Sequence, residues 1–323
     1  MCFSLHTTAL AICLIGSAAG QQLNSPPKTE KVPARETIHG QTVTDDYRWL
    51  EDQNSPQTRA WIAAQQKYAA QFFAGIPERA KIRAQLEPLE RIEDRKVPSV
   101  ANGKYFFRER LAHEQQPSIY VQNGADARPR VLVEARKLSA DESVSPSIVD
   151  VSRDGHVLAY ALRRGGQDET EIHFLDVENG KDMGATLPRA RYFGSSLMPD
   201  GTALYYSRLV NGGTRVFRHP ITGPHASDVE ILGAAYGPEY VTGCHVTITG
   251  NYLFCTAERG SATVDADLYE MRIGQDREPK AIARHVQELA YATLGDRVYL
   301  LTAERAPNHK IMQIELARAA PSE

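Results

Sequence analysis

Five hairpin signals recur along this chain at nearly even intervals: Asn102-Gly103, Asp154-Gly155, Asp200-Gly201, Gly250-Asn251 and Gly295-Asp296. Successive signals lie about 45–52 residues apart, the period of a β-propeller blade rather than of a helical solenoid. Asn-Gly and Asp-Gly supply the positive φ angles that a tight antiparallel turn needs. A short β-rich run follows each signal: Tyr105-Phe106-Phe107, then runs opening at Val157, Ala203, Tyr252 and Val298. A second apolar run closes each repeat, as in Ile119-Tyr120-Val121 and Ile172-His173-Phe174-Leu175. The repeat unit is therefore a small antiparallel sheet. Known propellers have roughly four to eight blades, and the last signal lies only about 28 residues from the C-terminus. The arithmetic favours an open arc of four to five blades, the last lacking material for its final strands, over a closed ring. The expected class is all-β. A partial propeller covers residues 97–318, an extended and helical segment covers 21–93, and 319–323 is a polar tail.

With a net charge of −3 and scattered basic residues, the chain offers no electropositive run with interleaved aromatics, so nucleic-acid binding is not expected. The N-terminus differs from the rest. Leu10–Gly16 is apolar, Ser17-Ala18-Ala19-Gly20 is small, and Gln21 opens a polar, Pro-containing stretch. Residues 1–20 read as a secretory signal peptide, which places the protein in the periplasm or outside the cell. The apolar run is too short to span a membrane, and no other segment could.

Ser55-Pro56 signals a helix start, with Ser at the N-cap and Pro at the first helical position. Trp61, Tyr68 and Phe72 fall on one face of that helix. A second helical pattern begins near Glu78 with Ile82, Leu86 and Leu89 on one face, and Pro88 should kink or end it. Cys2 and Cys13 lie in the leader, leaving Cys244 and Cys255 on either side of the Gly250-Asn251 turn. An oxidising compartment would let those two bridge. Directly opposed cysteines fit disulfide geometry poorly, so a disulfide and two buried thiols both stay open until register is known.

Several chemistries are missing. A serine nucleophile on a hydrolase sheet needs Gly-x-Ser-x-Gly, and the nearest approach, Gly194-Ser195-Ser196-Leu197-Met198, has Met198 where Gly must stand. His113-Glu114 opens like a zinc-peptidase motif, but Pro117 occupies the second His position and forbids the helix. There is no phosphate loop, dinucleotide fingerprint or metal-ligand spacing, so neither cofactor nor metal is expected. Asp168, Glu169 and Glu171 read as a solvated loop.

Some residues carry more than a pattern. Thr37-Ile38-His39-Gly40, then Asp46-Tyr47-Arg48-Trp49-Leu50-Glu51-Asp52, then Thr58 and Trp61 resemble the N-terminal signature of the prolyl oligopeptidase family. Val151-Ser152-Arg153-Asp154-Gly155, and Asp176–Lys181 beyond it, are similar to that family's second blade; Pro307–Ile311 is similar to a stretch of its fifth. The resemblance covers about residues 28–316. It implies a two-part serine endopeptidase: an α/β-hydrolase domain with a Ser-Asp-His triad that cleaves short peptides after proline, covered by a seven-bladed propeller that limits access to oligopeptides. The N-terminal helices would wrap onto the hydrolase domain. This chain matches the N-terminal segment and the first four to five blades, so the triad is expected to lie outside it and the chain alone to be inactive. Phe174 matches an aromatic position that lines the cavity near the substrate, the other reading being blade core. Arg259 and Ser261 fall in a loop that roughly matches another cavity-facing region. The competing class is a stand-alone secreted propeller that binds peptides or proteins.

Protein isolated from its native host is expected to begin near Gln21 by mass analysis. An intact Met1 on soluble cytoplasmic material would remove the signal-peptide reading.

Overall fold

The computed structural model describes residues 25–210, 212–260, 264–316 and 321–322. The signal-peptide reading of residues 1–20, with Cys2 and Cys13, lies outside them. Two compact units divide between Glu90 and Arg91.

The first unit holds a hairpin that the sequence pattern did not announce. Ala34–Ile38 pairs with Gln41–Asp45. His39 and Gly40 have φ of 50° and 78°, both left-handed, as a two-residue type I′ turn requires. Asp45 accepts from the Tyr47 amide at 2.8 Å, and Arg48 donates to both Glu36 carboxylate oxygens at 3.2 and 3.0 Å. The helix Pro56–Ala74 (α1) starts where Ser55-Pro56 predicts, the Ser55 side chain accepting from the Thr58 amide. The segment before the hairpin lies along α1: Trp61 Nε1 donates to Thr29 Oγ1 at 2.9 Å and Gln65 to the Pro27 carbonyl at 3.0 Å. The second helix, Glu78–Glu90 (α2), runs two residues past Pro88. Its Ile82, Leu86 and Leu89 are exposed.

The second unit is all β, and its sheets follow one another in chain order. Blade 1 holds Asp94–Arg95 and Ser99–Ala101 beside Lys104–Arg110, then Ser118–Asn123 and Arg130–Val133. Blade 2 comprises Val144–Val151, Val157–Arg164, Thr170–Asp176 and Lys181–Ala190; blade 3, Tyr192–Leu197, Ala203–Val210, Gly213–Pro220 and Val229–Leu232. Blades 4 and 5 share the strand Lys280–Leu294, whose first half pairs with Val264–Arg272 and second half with Arg297–Thr302. Blade 4 opens with Tyr240–Val246 and Tyr252–Arg259. Blade 5 continues through Lys310–Glu315 to Pro321–Ser322, so the fifth sheet gains a short fourth strand that the sequence arithmetic denied it. Part of the expected polar tail is thus strand.

Side-chain alternation explains the stacking. In the second strand of blade 2, Leu158, Tyr160 and Leu162 join the core shared with blade 1, while Ala159 and Ala161 join the core shared with blade 3. In blade 3, Leu204 and Tyr206 face blade 2 and Tyr205 faces blade 4. Phe254 turns from blade 4 toward blade 5. Four such cores join five sheets, and among the described residues none joins the first sheet to the last. The arc is open, as expected. No helix of the described residues is long and apolar enough to cross a membrane.

The hairpin signals divide into two kinds. Asn102 and Gly103 both adopt positive φ and close a two-residue turn between Ala101 and Lys104; Gly295-Asp296 closes another between Leu294 and Arg297. The Asp-Gly and Gly-Asn turns of blades 2–4 are longer than a tight turn. Only the Gly is left-handed there, and Asp154 and Asp200 instead accept from the His156 and Thr202 amides, each at 3.0 Å. The longer turns reach the blade before. A Cβ on Gly201 would stand 2.7 Å from Val157 Cγ2, and one on Gly155 would stand 3.2 Å from the Ala101 carbonyl oxygen. The Arg153 amide donates to the Pro199 carbonyl at 2.8 Å, and its guanidinium to the Ile248 carbonyl at 2.8 Å. Thr249 and Asn251 bind Asp296 in turn. One rim of the arc is thus a chain of interlocked turns.

Gly201→Ala and Gly103→Ala should separate the two demands. Both pay a left-handed penalty of about 1–2 kcal/mol. Gly103 has open space around it, whereas Gly201 does not. Gly201→Ala should cost roughly 1–3 kcal/mol more, the cost of overpacking. Equal losses on chemical denaturation would show that the turn does not bear on its neighbour.

Candidate functional site

The first strand of each sheet runs along the inner wall of the arc, where Val144–Val151 touches Tyr192–Leu197 and the latter touches Tyr240–Val246. Those strands have no sheet partner on their inner side. Two side-chain ties at equivalent places join three of them. Asp150 Oδ2 accepts from the Leu197 amide at 2.8 Å, joining blade 2 to blade 3. Ser196 Oγ accepts from the Val246 amide at 3.0 Å, joining blade 3 to blade 4. A third tie lies deeper: Ser207 Oγ donates to the Thr242 carbonyl at 2.5 Å, and Thr214 Oγ1 accepts from the Thr242 amide at 2.7 Å.

Asp150 follows a register break at Ile148 that turns its carboxyl toward the neighbouring blade. Burial pushes this carboxyl above the usual aspartate range, against the two backbone amides that favour its charge. His245 lies near enough to act on it electrostatically. Desolvation holds the His245 imidazole below its usual value while Asp150 pulls it up. His245 is exposed to solvent. Phe193 and Val241 are exposed on the same strands, and the Arg191 guanidinium lies 5.6 Å from the Phe193 ring centre. The wall therefore combines apolar and aromatic patches with an acid and an imidazole whose charged forms burial disfavours.

The opposite end of blade 4 carries a dense polar network. Asp267 accepts from the Tyr236 hydroxyl at 2.7 Å, from Arg284 at 2.6 Å and from the His285 amide at 3.1 Å. Tyr269 binds the Tyr236 hydroxyl and accepts from Arg284 at 3.0 Å. This holds His285 at a φ of 54° at the bulge that interrupts the pairing of the third and fourth strands. Next to it Arg259 donates to Asp265 at 2.8 Å and lies over the Tyr240 ring at 5.5 Å.

Arg259 is thus a half-exposed, ion-paired residue at a loop end, while Ser261 lies outside the described residues. Phe174 has no exposed surface. It stacks on His219 at 5.5 Å inside the core between blades 2 and 3, in the position of blade core rather than of a cavity wall. His219, also without exposed surface, donates or accepts through Nδ1 at 2.6 Å from Asp228, which His225 and Tyr206 also contact. Cys244 and Cys255 stand directly opposite in the ladder with Cα atoms 4.0 Å apart, and they are bonded. The bond forms although the two stand directly opposite, so of the two open readings the structure holds the bridge. Ser195 and Ser196 are strand residues, as read, and Ser196 is the buried tie described above. Sequence reading missed Asp150 and His245; a lone acid within an apolar β run was the available signal for the first.

An open stack of small antiparallel sheets with their first strands innermost defines a β-propeller domain, here as an arc. Residues 26–323 match the family described as prolyl oligopeptidase, N-terminal beta-propeller domain, and the chain belongs to that family. It is similar to the prolyl endopeptidases of Elizabethkingia meningoseptica (28% identical over 96% of this chain and 45% of that one) and Elizabethkingia miricola (27%, over 98% and 46%). A solved structure from a mechanistic comparison of two prolyl endopeptidases superposes with a TM-score of 0.79 at 26% identity, covering 91% of this chain and 45% of that one. Prolyl oligopeptidase B from Galerina marginata, bound to a 35mer substrate, shares the fold at a TM-score of 0.71 and 17% identity over 92% of this chain and 46% of that one. The chain spans about half the length of the curated relatives it matches.

Asp150 separates two contributions that substitution can test. An unfolded aspartate titrates near 3.9. Folded, Asp150 titrates higher. Its stabilising contribution is complete below the unfolded value and is lost as pH rises through the folded one. His245, held low, acts oppositely and loses its contribution as pH falls below about 6.5. Asp150→Asn keeps an acceptor for Leu197 and should flatten the decline of stability above pH 4. Asp150→Ala strands that amide and should cost about 1–3 kcal/mol at any pH. If thermal unfolding cannot distinguish the two variants, the Leu197 bond is not what Asp150 contributes.

Proposed function

We propose that this chain is the propeller part of an exported, prolyl oligopeptidase-type serine endopeptidase, and that its inner wall governs which peptides reach the catalytic part. The observation that carries the reading is the family match from residue 26 to 323, in a chain spanning about half the length of prolyl endopeptidase relatives. The innermost strands support it. They offer unpaired backbone edges and the exposed Phe193 and Val241, a lining suited to extended peptide. Catalysis belongs to a hydrolase domain with its own nucleophile elbow. The exposed apolar positions of α1 and α2, among them Phe72, Phe73, Ile82 and Leu86, are the surface on which that domain would rest. The disulfide between Cys244 and Cys255 accords with export to an oxidising compartment.

A chimera tests this reading. Residues 25–323 would be joined to the catalytic half of the Elizabethkingia meningoseptica enzyme and compared with that half alone. The chimera should cleave a short Pro-containing peptide but discriminate by at least about tenfold in kcat/KM against a long unfolded polypeptide, a barrier difference of about 1.4 kcal/mol. Equal digestion of both substrates by chimera and catalytic half would refute gating.

A further inference from the structure

We propose that the backbones of Ser195 in blade 3 and Cys244 in blade 4 are docking points for an extended peptide, each exchanging an amide and a carbonyl hydrogen bond with one non-proline residue of it. The inference deepens the reading of the inner wall as a peptide lining and rests on it. Ladder alternation singles out the two residues. In blade 3 the Met198 amide donates to the Ala203 carbonyl. Alternate residues of an antiparallel strand share such pairs. Ser196 and Gly194 therefore turn their backbone groups to the second strand, and Leu197 and Ser195 turn theirs to the inner edge. In blade 4 the Thr247 amide donates to the Tyr252 carbonyl, and the same count turns Val246, Cys244 and Thr242 to the inner edge. Neighbouring blades take most of these edge groups. Asp150 binds the Leu197 amide, Ser196 Oγ binds the Val246 amide, and Thr214 and Ser207 bind the Thr242 amide and carbonyl. Ser195 and Cys244 are left, part-exposed, with an edge amide and an edge carbonyl that both lack a partner among the described residues.

A glycine marks each point. Gly194 directly precedes Ser195, and Gly243 directly precedes Cys244. The other two glycines within the described strands, Gly184 and Gly213, have φ of 79° and 139°, which glycine holds at no steric cost. Gly194 and Gly243 are not left-handed, and a Cβ on either would meet no atom within 4 Å. Neither backbone conformation nor packing calls for glycine at these positions. Glycine inside a strand weakens it and serves where another backbone approaches closely. The two points are also neighbours. Gly194 pairs with Ser207, whose Oγ binds the carbonyl of Thr242, the residue before Gly243. Exposed Phe193 adjoins Gly194, and exposed Val241 lies two residues before Gly243. The partner that fits must offer a donor and an acceptor from one residue, as an extended peptide does when it adds to a strand edge. A proline at the docked residue lacks the donor.

Fluorescence anisotropy tests the docking points on the full chain. The probes are a labelled ten-residue peptide of alanine and threonine, acetylated and amidated so that it carries no terminal charge, and the same peptide N-methylated throughout. The unmethylated peptide should bind with a Kd at or below about 1 mM. The methylated one should bind at least about tenfold more weakly, because it has lost every backbone donor. Gly194→Val and Gly243→Val, combined in one chain, should weaken the unmethylated peptide by at least about tenfold. The Tm of that variant should not fall below that of the parent protein, since valine suits a strand and finds open space at both positions. Absence of binding, equal affinity for the two peptides, or affinity unchanged in the double variant would overturn the proposal. A lowered Tm would show that the glycines serve the fold and would overturn it too. Binding is read without catalysis, so the outcome separates from that of the chimera. A chimera that discriminates by substrate length while the full chain ignores the peptide would remove the docking points and leave gating in place.

Discussion

Every inner sheet in the arc buries both of its faces, and the remaining structure follows from that requirement. An ordinary antiparallel sheet keeps one face for water and shows alternating polarity. Here the second strand of blade 2 is buried from Leu158 to Leu162 without interruption, since even and odd positions meet different neighbours. Small residues on one side, Ala159 and Ala161, let blade 3 approach closely enough for Phe174 and Tyr206 to fill the gap. A sheet at the end of such a stack has one face without this cover. In blade 5 that face carries Leu301 and Ile311, both exposed. In blade 1 it is partly closed from within, where Phe107 stacks on Tyr120 and the Arg95 guanidinium lies 4.5 Å from its ring centre.

Close stacking turns the inner edge into an electrostatic problem. The first strands lack a sheet partner on one side, and their neighbours exclude water from parts of their backbone. Asp150, Ser196, Ser207 and Thr214 answer that need one blade at a time, each reaching the backbone of the next blade. An acid used in this way is poorly solvated and resists ionisation; a serine is not penalised. The wall that results is tied through its backbone and varied in its side chains.

Charge at the rim is organised by pairing rather than by sign. Most arginines there lie against a carboxylate on their own blade, so the rim presents many guanidiniums and little net field. Nothing in local sequence distinguishes Arg163 from the adjacent Arg164, yet only Arg164 reaches Glu171.

By itself the sequence determined the repeat, its turns, the helix start at Ser55-Pro56 and the family, because these depend on residues close together along the chain. Glycine at a fixed interval is readable wherever a left-handed φ is needed. The lengths of the blade 2–4 turns were not readable: Asp154 and Asp200 use side chains to cap a wider loop, and that loop is fixed by the blade it touches. Contacts between strands some fifty residues apart were equally hidden. The Asp150–Leu197 bond, the core position of Phe174 and the Cys244–Cys255 bridge depend on register and on which face a strand turns to its neighbour. Those are set only when the sheets stack, since a shift of one residue would send every side chain to the other face.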